Sequence, residues 1–186
     1  MNHNLRQNHQ MASLTIATDG RASDGDLAKA LNNLKNLPLW TVIRLCTDED
    51  SIVNYYNDID QVVELEMDVL DDLGGECEEV MTNNAWLNYA EPCHRLREFG
   101  IHRKEIDLLD EAVLSGDQLC GTLAIVLGPD NYPHPEIDLA ALVDRINDKL
   151  SKEPLAYNPK LKKFKPWIDV KVLVRTYGPK SSCVIM

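Results

Sequence analysis

The chain has 186 residues, of which 44% are hydrophobic and 26% charged, and its net charge is −11. This length is enough for one hydrophobic core with a small appendage, and the composition is typical of a globular protein. The acidic balance argues against general nucleic-acid binding, because neutralising phosphates requires a basic surface.

The N-terminal segment and the cysteines favour a cytoplasmic protein. Residues 1–13 lack the apolar stretch of a secretory signal, and their composition, rich in Asn, Gln and His, predicts a disordered tail. No run of about 18 apolar residues occurs, so no transmembrane segment is predicted. The five cysteines form no C-x-x-C pair, which gives no support to a zinc site or a disulfide framework and favours a reducing compartment.

The first quarter of the chain predicts a β-α-β unit. Residues 14–17 form a short apolar strand, and leucines recur with helical spacing between residues 25 and 37. Ser23, followed three positions later by Asp26, predicts a capping box at the start of this helix. Leu39–Leu45 is rich in β-favouring side chains, as in a parallel strand that is buried on both faces.

The rest of the chain predicts mainly helices. The expected elements are a helix capped by Thr47 or Asp48, a short strand or extended segment over 62–67, and helices over 68–81, from Pro92 to Gly100, from Ser115 and from Asp138. The predicted organisation is a disordered tail (1–13), an α/β domain (14–110), a helical region (111–158) and a basic tail (159–186).

The predicted first strand runs directly into a turn of sequence Thr18-Asp19-Gly20. This turn, the helix after it and the strand ending at Cys46 resemble the third metal-site motif of von Willebrand factor type A domains and its surroundings. The resemblance implies an α/β fold, a partial doubly wound parallel sheet followed by a mostly helical C-terminal part. It also implies that Asp19 lies at the carboxyl edge of the sheet, where open α/β sheets bind ligands.

The family's other metal-site motifs are absent from this chain. The Asp-x-Ser-x-Ser loop and the separate Thr that complete the site have no counterpart before residue 14. Asp19 alone cannot satisfy Mg²⁺, which requires near-octahedral oxygen ligation. We therefore expect no cofactor and no tight divalent-cation site, with Mg²⁺ bound only if the missing motifs are supplied. The pattern is also that expected of a truncated gene product or of a degenerate derivative of the domain.

The last four residues, Cys183-Val184-Ile185-Met186, match a prenylation signature in which a final Met favours farnesyl. A single lipid needs a second signal for stable anchoring, and lysines near an anionic surface can supply it. The expected electrostatic residues are Lys160, Lys162, Lys163, Lys165 and Lys180. The sequence thus predicts lipidation of Cys183 and a membrane surface as one partner.

Charge is segregated along the chain. Residues 47–80 hold thirteen Asp or Glu and no Lys or Arg, whereas residues 160–180 hold seven basic residues and one acidic residue. The favoured function is a non-catalytic protein-binding or scaffolding module, cytoplasmic and tethered to a membrane by a lipid. The alternatives are a hydrolase or regulatory enzyme without a recognisable site, and a fragment without independent function. An uncovered strand edge beside Leu14 would favour the fragment.

Overall fold

The computed structural model describes residues 2–23, 25–47, 49–63, 65 and 67–179. By their contacts, these residues divide into two compact units that interleave along the chain. Unit 1 comprises the described residues of 1–76 and 91–103, and unit 2 comprises those of 77–90 and 104–186. The four continuous ranges predicted from the sequence stay a prediction.

Unit 1 is built on a small parallel sheet. Its elements are α1 (Asn2–Gln7), β1 (Ala12–Thr18), α2 (Leu27–Asn32), β2 (Leu39–Leu45), α3 (Asp50–Val62), β3 (Met67–Leu70) and α5 (Glu91–Glu98), and α4 (Leu73–Asn83) begins in it. The strand order is β1-β2-β3, and both pairings are parallel. The predicted parallel pairing of β1 with β2 is confirmed, with Ile16 opposite Ile43. The mixed α/β class is confirmed with it.

The two faces of this sheet are covered differently. One face carries the apolar core, in which Ile43 and Leu45 pack with Leu31 of α2 and with Ile52 and Tyr56 of α3. Both connecting helices lie on this face. Parallel crossovers are right-handed, so when each new strand is added on the same side of the last one, every connecting helix lies on the same face of the sheet.

The opposite face of the sheet carries a smaller apolar cluster of Trp40, Val42 and Leu70. Arg44 of β2 and Asp68 of β3 also lie on this face and bind α5. Helices therefore cover both faces of the sheet in unit 1.

Several predicted boundaries in unit 1 differ from the structure. A helix occupies Asn2–Gln7, in the segment predicted to be a disordered tail. Helix α2 is shorter than predicted, and its N-cap is Asp26 rather than Ser23, because the Asp26 carboxylate accepts a hydrogen bond from the Lys29 amide at 3.1 Å. Helix α3 begins after Glu49, which makes no side-chain capping bond.

The prediction for the third strand was also wrong. Met67–Leu70 is a strand, whereas residues 68–81 were predicted as helix. The helix begins at Leu73 instead, where the Asp72 carboxylate accepts hydrogen bonds from the amides of Gly74 and Gly75. A capping carboxylate and two glycines therefore define the start of α4.

Unit 2 holds the C-terminal part of α4 and most of the remaining elements. These are α6 (Lys104–Asp107), α7 (Gly116–Val126), α8 (Pro135–Leu150), β4 (Ala156–Asn158), β5 (Lys163–Lys165) and α9 (Val170–Tyr177). Ser115 caps α7 through a capping box with Gln118, as predicted from Ser115. Asp138 caps the second part of a kinked α8, since its carboxylate accepts from the Ala141 amide at 2.9 Å. Residues 111–158, predicted as a helical region, contain α7, α8 and β4, and the described part of the predicted basic tail contains β5 and α9.

A buried asparagine forms hydrogen bonds with several groups in the core of unit 2. Asn84, which is fully buried, donates to the carbonyls of Leu109 and Ala112 and accepts from the Trp86 indole and the Leu114 amide. Its side chain thus satisfies backbone groups that the surrounding apolar core cannot.

Candidate functional site

The Asp19 carboxylate lies at the carboxyl end of β1, as the resemblance implies, and it is exposed. The turn around it is fixed by Tyr56, whose hydroxyl donates to the Gly20 carbonyl at 2.8 Å. Among the described residues, Asp19 belongs to no group of three or more His, Cys, Asp or Glu side chains whose ligating atoms lie within 4.8 Å of one another. A metal role for Asp19 therefore stays a prediction that depends on further ligands.

A shallow cleft of about 380 Å³ lies at the same end of β2. It is lined by Arg44, Leu45, Cys46, Thr47 and Asp72. The guanidinium of Arg44 already donates to the Glu98 carboxylate at 2.7 Å and to the carbonyls of Leu45 and Asp71. Asp72 is occupied in capping α4. The polar groups of this cleft thus serve the fold, and the hydrolase alternative gains no support from them.

Beside the cleft, α5 contacts the sheet through buried charges. Arg97, whose side chain is 2% exposed, donates to both carboxylate oxygens of Asp68 at 2.9 and 3.1 Å. It also donates to the Glu76 carboxylate at 2.6 Å, and Glu76 accepts from the Asp71 amide at 2.9 Å. A buried charge persists only when paired and hydrogen-bonded, so this cluster fixes α5 on the sheet.

His94 and Glu98 continue this polar contact. Burial lowers the pKa of His94 to about 4, and the nearby Arg44 guanidinium acts in the same direction. Burial alone would raise the pKa of Glu98, but hydrogen bonds from Arg44 and Arg95 outweigh it and hold that pKa below its ordinary value. His94 is therefore neutral and Glu98 ionised at neutral pH.

The outer edge of β1 is open among the described residues of unit 1. Ala12 donates its amide to the Pro38 carbonyl, and the Thr18 carbonyl accepts from the Cys46 amide. Given the parallel register, the even-numbered residues from 12 to 18 direct their backbone groups toward β2. The amides and carbonyls of Ser13, Thr15 and Ala17 consequently point away from the sheet. No other described residue pairs with them, and all three residues are exposed.

This edge carries none of the features by which proteins usually block strand pairing. The strand Ala12–Thr18 is seven residues long and contains no charge and no proline. Its pairing with β2 is continuous from Ala12 to Thr18, so no bulge bends it away. Leu14 and Ile16 are only half buried and remain available to a further strand. Such an edge pairs readily with another chain. It is also the uncovered edge beside Leu14 that the fragment alternative predicts.

The predicted electrostatic lysines lie in unit 2, on the hairpin formed by β4 and β5. Lys160, Lys162 and Lys163 are exposed, and Lys165 is half buried. Lys160 pairs with the Glu78 carboxylate, and the Lys165 ammonium lies 3.6 Å from the Asp169 carboxylate. The structure thus brings four of the predicted lysines together, on a folded hairpin rather than a tail. Lys180 and the predicted lipidation site Cys183 lie outside the described residues.

Comparison with known protein families, with characterised proteins and with solved structures finds no significant match for this chain. Within the residues that the structure describes, no helix is both long and apolar enough to cross a bilayer.

Sequence reasoning missed the polar contact between α5 and the sheet. Helix α5 reads as polar on nearly all sides, which is usual for a solvent-exposed helix. The one available indication was Asp68 within the apolar stretch Met67–Leu70, since a charge at such a position requires a partner. The partner, Arg97, lies 29 residues further along the chain.

Proposed function

We propose that this chain is a non-catalytic protein-binding module of von Willebrand factor type A-like kind, and that the open edge of β1 receives an extended segment of a partner protein. The observation that carries the proposal is the unpaired row of backbone groups at Ser13, Thr15 and Ala17. Addition of a strand to an exposed sheet edge is a recurring mode of protein recognition, in which backbone hydrogen bonds supply affinity.

The order of the strands supports the type A-like part of the proposal. Three parallel strands in the order β1-β2-β3, with both connecting helices on one face, correspond to one half of a doubly wound sheet. In such a sheet the edge of β1 would be an interior position, next to a further parallel strand. A partner segment placed there would complete an arrangement that the sheet already favours.

The energetics favour a modest affinity. Ser13, Thr15 and Ala17 offer six backbone groups, and each hydrogen bond contributes about 0.5–1.5 kcal/mol net. Ordering each residue of an unfolded peptide costs about 1–2 kcal/mol, which offsets most of that gain. Apolar contacts with Leu14 and Ile16 must therefore supply the net free energy of binding, so we expect dissociation constants in the micromolar range. We also expect the bound peptides to carry β-branched side chains at alternate positions.

Substitution of Ala17 provides a sharp test. The Ala17 amide points away from β2, so Ala17→Pro removes a donor from the open edge without removing a bond between β1 and β2. Peptides selected from a random displayed library against the full chain should bind wild type and the matched control Ala17→Ser, and should lose binding to Ala17→Pro. The folded state of all three proteins is checked by circular dichroism.

Two outcomes would overturn the proposal. Selected peptides that bind Ala17→Pro as well as wild type would show that they use another surface. Dimerisation of the chain that is lost in Ala17→Pro would show that the edge serves self-association instead of a different partner.

The lipid tether is a separate part of the proposal, with the protein in the cytoplasm and associated with a membrane through Cys183. A single prenyl chain gives only marginal, reversible binding. For a chain that ends at Met186, we expect mass analysis after expression with a farnesyltransferase to find a farnesyl group on wild type and none on Cys183→Ser. An unmodified C-terminal peptide in wild type would end this part of the proposal.

A further inference from the structure

The hairpin of unit 2 exposes an unusual number of apolar side chains. Tyr157 of β4 lies opposite Phe164 of β5, and their rings meet edge to face with centroids 5.5 Å apart. Phe164 is 65% exposed and Tyr157 46%. Leu155 before β4 and Leu161 in the connecting loop are 55% and 39% exposed. Four large apolar side chains therefore lie on one short hairpin.

This exposure does not come from a loosely attached loop. Asn88, which is buried, donates to the carbonyls of Ala156 and Lys165 and accepts from the Asn158 side chain at 2.8 Å. Asn158 in turn accepts from the Leu161 amide at 2.7 Å, which fixes the loop. The inner face of the hairpin is thus held by satisfied, buried amides, and the outer face with its rings is presented rigidly.

Along the hairpin segment itself the charge has one sign, although Lys160 and Lys165 pair with Glu78 and Asp169 from outside it. Residues 154–168 contain four lysines and no Asp or Glu, in a protein whose net charge is −11. Lys162 and Lys163 are exposed and form no ion pair with any described residue. They lie next in sequence to Leu161 and Phe164, so the unpaired positive charge borders the exposed apolar side chains.

We propose that this hairpin, which we name the β4–β5 hairpin, is a membrane-contacting element that binds the surface of an anionic bilayer. Aromatic and leucine side chains would enter the boundary between headgroups and acyl chains, and the lysines would pair with anionic headgroups. Each lysine close to such a surface strengthens binding about fivefold. This contact depends neither on the edge of β1 nor on a lipid at Cys183.

A bilayer fits these side chains better than a nucleic acid does. Single-stranded nucleic acids bind to aromatic rings on which bases stack face to face. Here Tyr157 and Phe164 pack edge to face against each other at 65°, and two of the four apolar side chains are leucines, which offer bases no stacking surface. Aliphatic and aromatic side chains together are what the interface of a bilayer accommodates.

The test is binding of the full-length protein, expressed without prenylation, to vesicles of phosphatidylcholine alone or with phosphatidylserine. We expect binding only to the vesicles with phosphatidylserine, and loss of binding as salt screens the lysines. Phe164→Ala should weaken binding about tenfold, from the apolar area that no longer leaves water. Lys162→Gln combined with Lys163→Gln should weaken it roughly 25-fold.

Matched variants elsewhere separate this contact from general effects. Phe99 is 78% exposed and Lys171 is exposed, and both lie outside the hairpin. Phe99→Ala and Lys171→Gln should leave vesicle binding within about twofold of wild type. Equal binding to both vesicle types, equal losses in the control variants, or retention of the protein by single-stranded RNA without vesicle binding would each overturn the proposal.

Discussion

Arg97 is the residue on which the packing of α5 against the sheet depends most. Its guanidinium neutralises two buried carboxylates, those of Asp68 and Glu76, and makes a two-bond contact with the former. Loss of one partner in a buried cluster leaves the other charges without compensation, which costs more than the pair contributes when intact.

We predict that Arg97→Met lowers the free energy of unfolding by about 3–5 kcal/mol, since it removes the buried cation that the Asp68 and Glu76 carboxylates bind. Arg95→Met, two positions away, is the control, because the Arg95 side chain is 55% exposed and its partner Glu98 keeps the hydrogen bond from Arg44. Urea denaturation followed by circular dichroism measures both. Equal, small effects of the two substitutions would contradict the role assigned to Arg97.

His94 makes stability depend on pH. Its pKa falls from 6.5 in the unfolded chain to about 4 in the folded protein, mainly through burial. Between these values the unfolded chain binds more protons, so the free energy of unfolding must decrease as the pH falls from 6.5 toward 4. The loss can reach about 3 kcal/mol across this window, at about 1.4 kcal/mol per pH unit.

Denaturation at about pH 7 and about pH 5 tests this dependence. Wild type should be less stable at the lower pH, and His94→Gln should show a smaller difference because glutamine does not titrate. A variant with the same pH dependence as wild type would assign the effect to other groups, such as Glu98.

At the scale of elements, the predictable parts of the fold are those that local sequence determines. The β-branched residues of β2 and the Ser115 cap of α7 can be recognised from local sequence alone, because neither depends on contacts with distant residues. The prediction of a helix in place of β3 was wrong because the charge of Asp68 interrupts the apolar pattern of the strand. That buried charge is stable only when it is paired with Arg97. The open edge of β1 was predicted because the strand that carries the family's other metal-site motif is missing. The polar face of α5 was not predicted, because its ion pairs join residues that are far apart in the sequence.

Gly100 ends α5 in a way that only glycine permits. It has a φ of 73°, its amide donates to the Arg97 carbonyl, and the Ile101 amide donates to the Leu96 carbonyl. These two bonds form a Schellman motif. The prediction that this helix ends at Gly100 is confirmed. A Cβ at this position would also lie within 3.0 Å of atoms of Ser13 and Trp40.

We predict that Gly100→Ala destabilises the protein by about 2–4 kcal/mol, from backbone strain of about 1–2 kcal/mol together with the clash. Gly128 provides the matched control, since its φ is 87° but a Cβ there meets no atom within 4 Å. Gly128→Ala should cost only the strain, about 1–2 kcal/mol. Thermal unfolding of both variants measures the difference, and equal costs would show that the neighbours of Gly100 move aside freely.

At the scale of the whole molecule, the two proposed contacts lie in different units and have different chemistry. The edge of β1, in unit 1, offers uncharged backbone groups, while the β4–β5 hairpin, in unit 2, offers lysines and exposed rings. Binding at the edge should therefore be insensitive to salt, and binding at the hairpin should weaken as salt rises. The two contacts can be removed separately, by Ala17→Pro and by Phe164→Ala.

The most direct measurement is amide hydrogen exchange along β1 in the full chain without a partner. We predict fast exchange at Ser13, Thr15 and Ala17, whose amides face solvent, and slow exchange at Leu14 and Ile16, whose amides face β2. Addition of a selected peptide should protect the three fast amides and so remove the alternation. Protection of Ser13, Thr15 and Ala17 before any peptide is added would contradict the open edge.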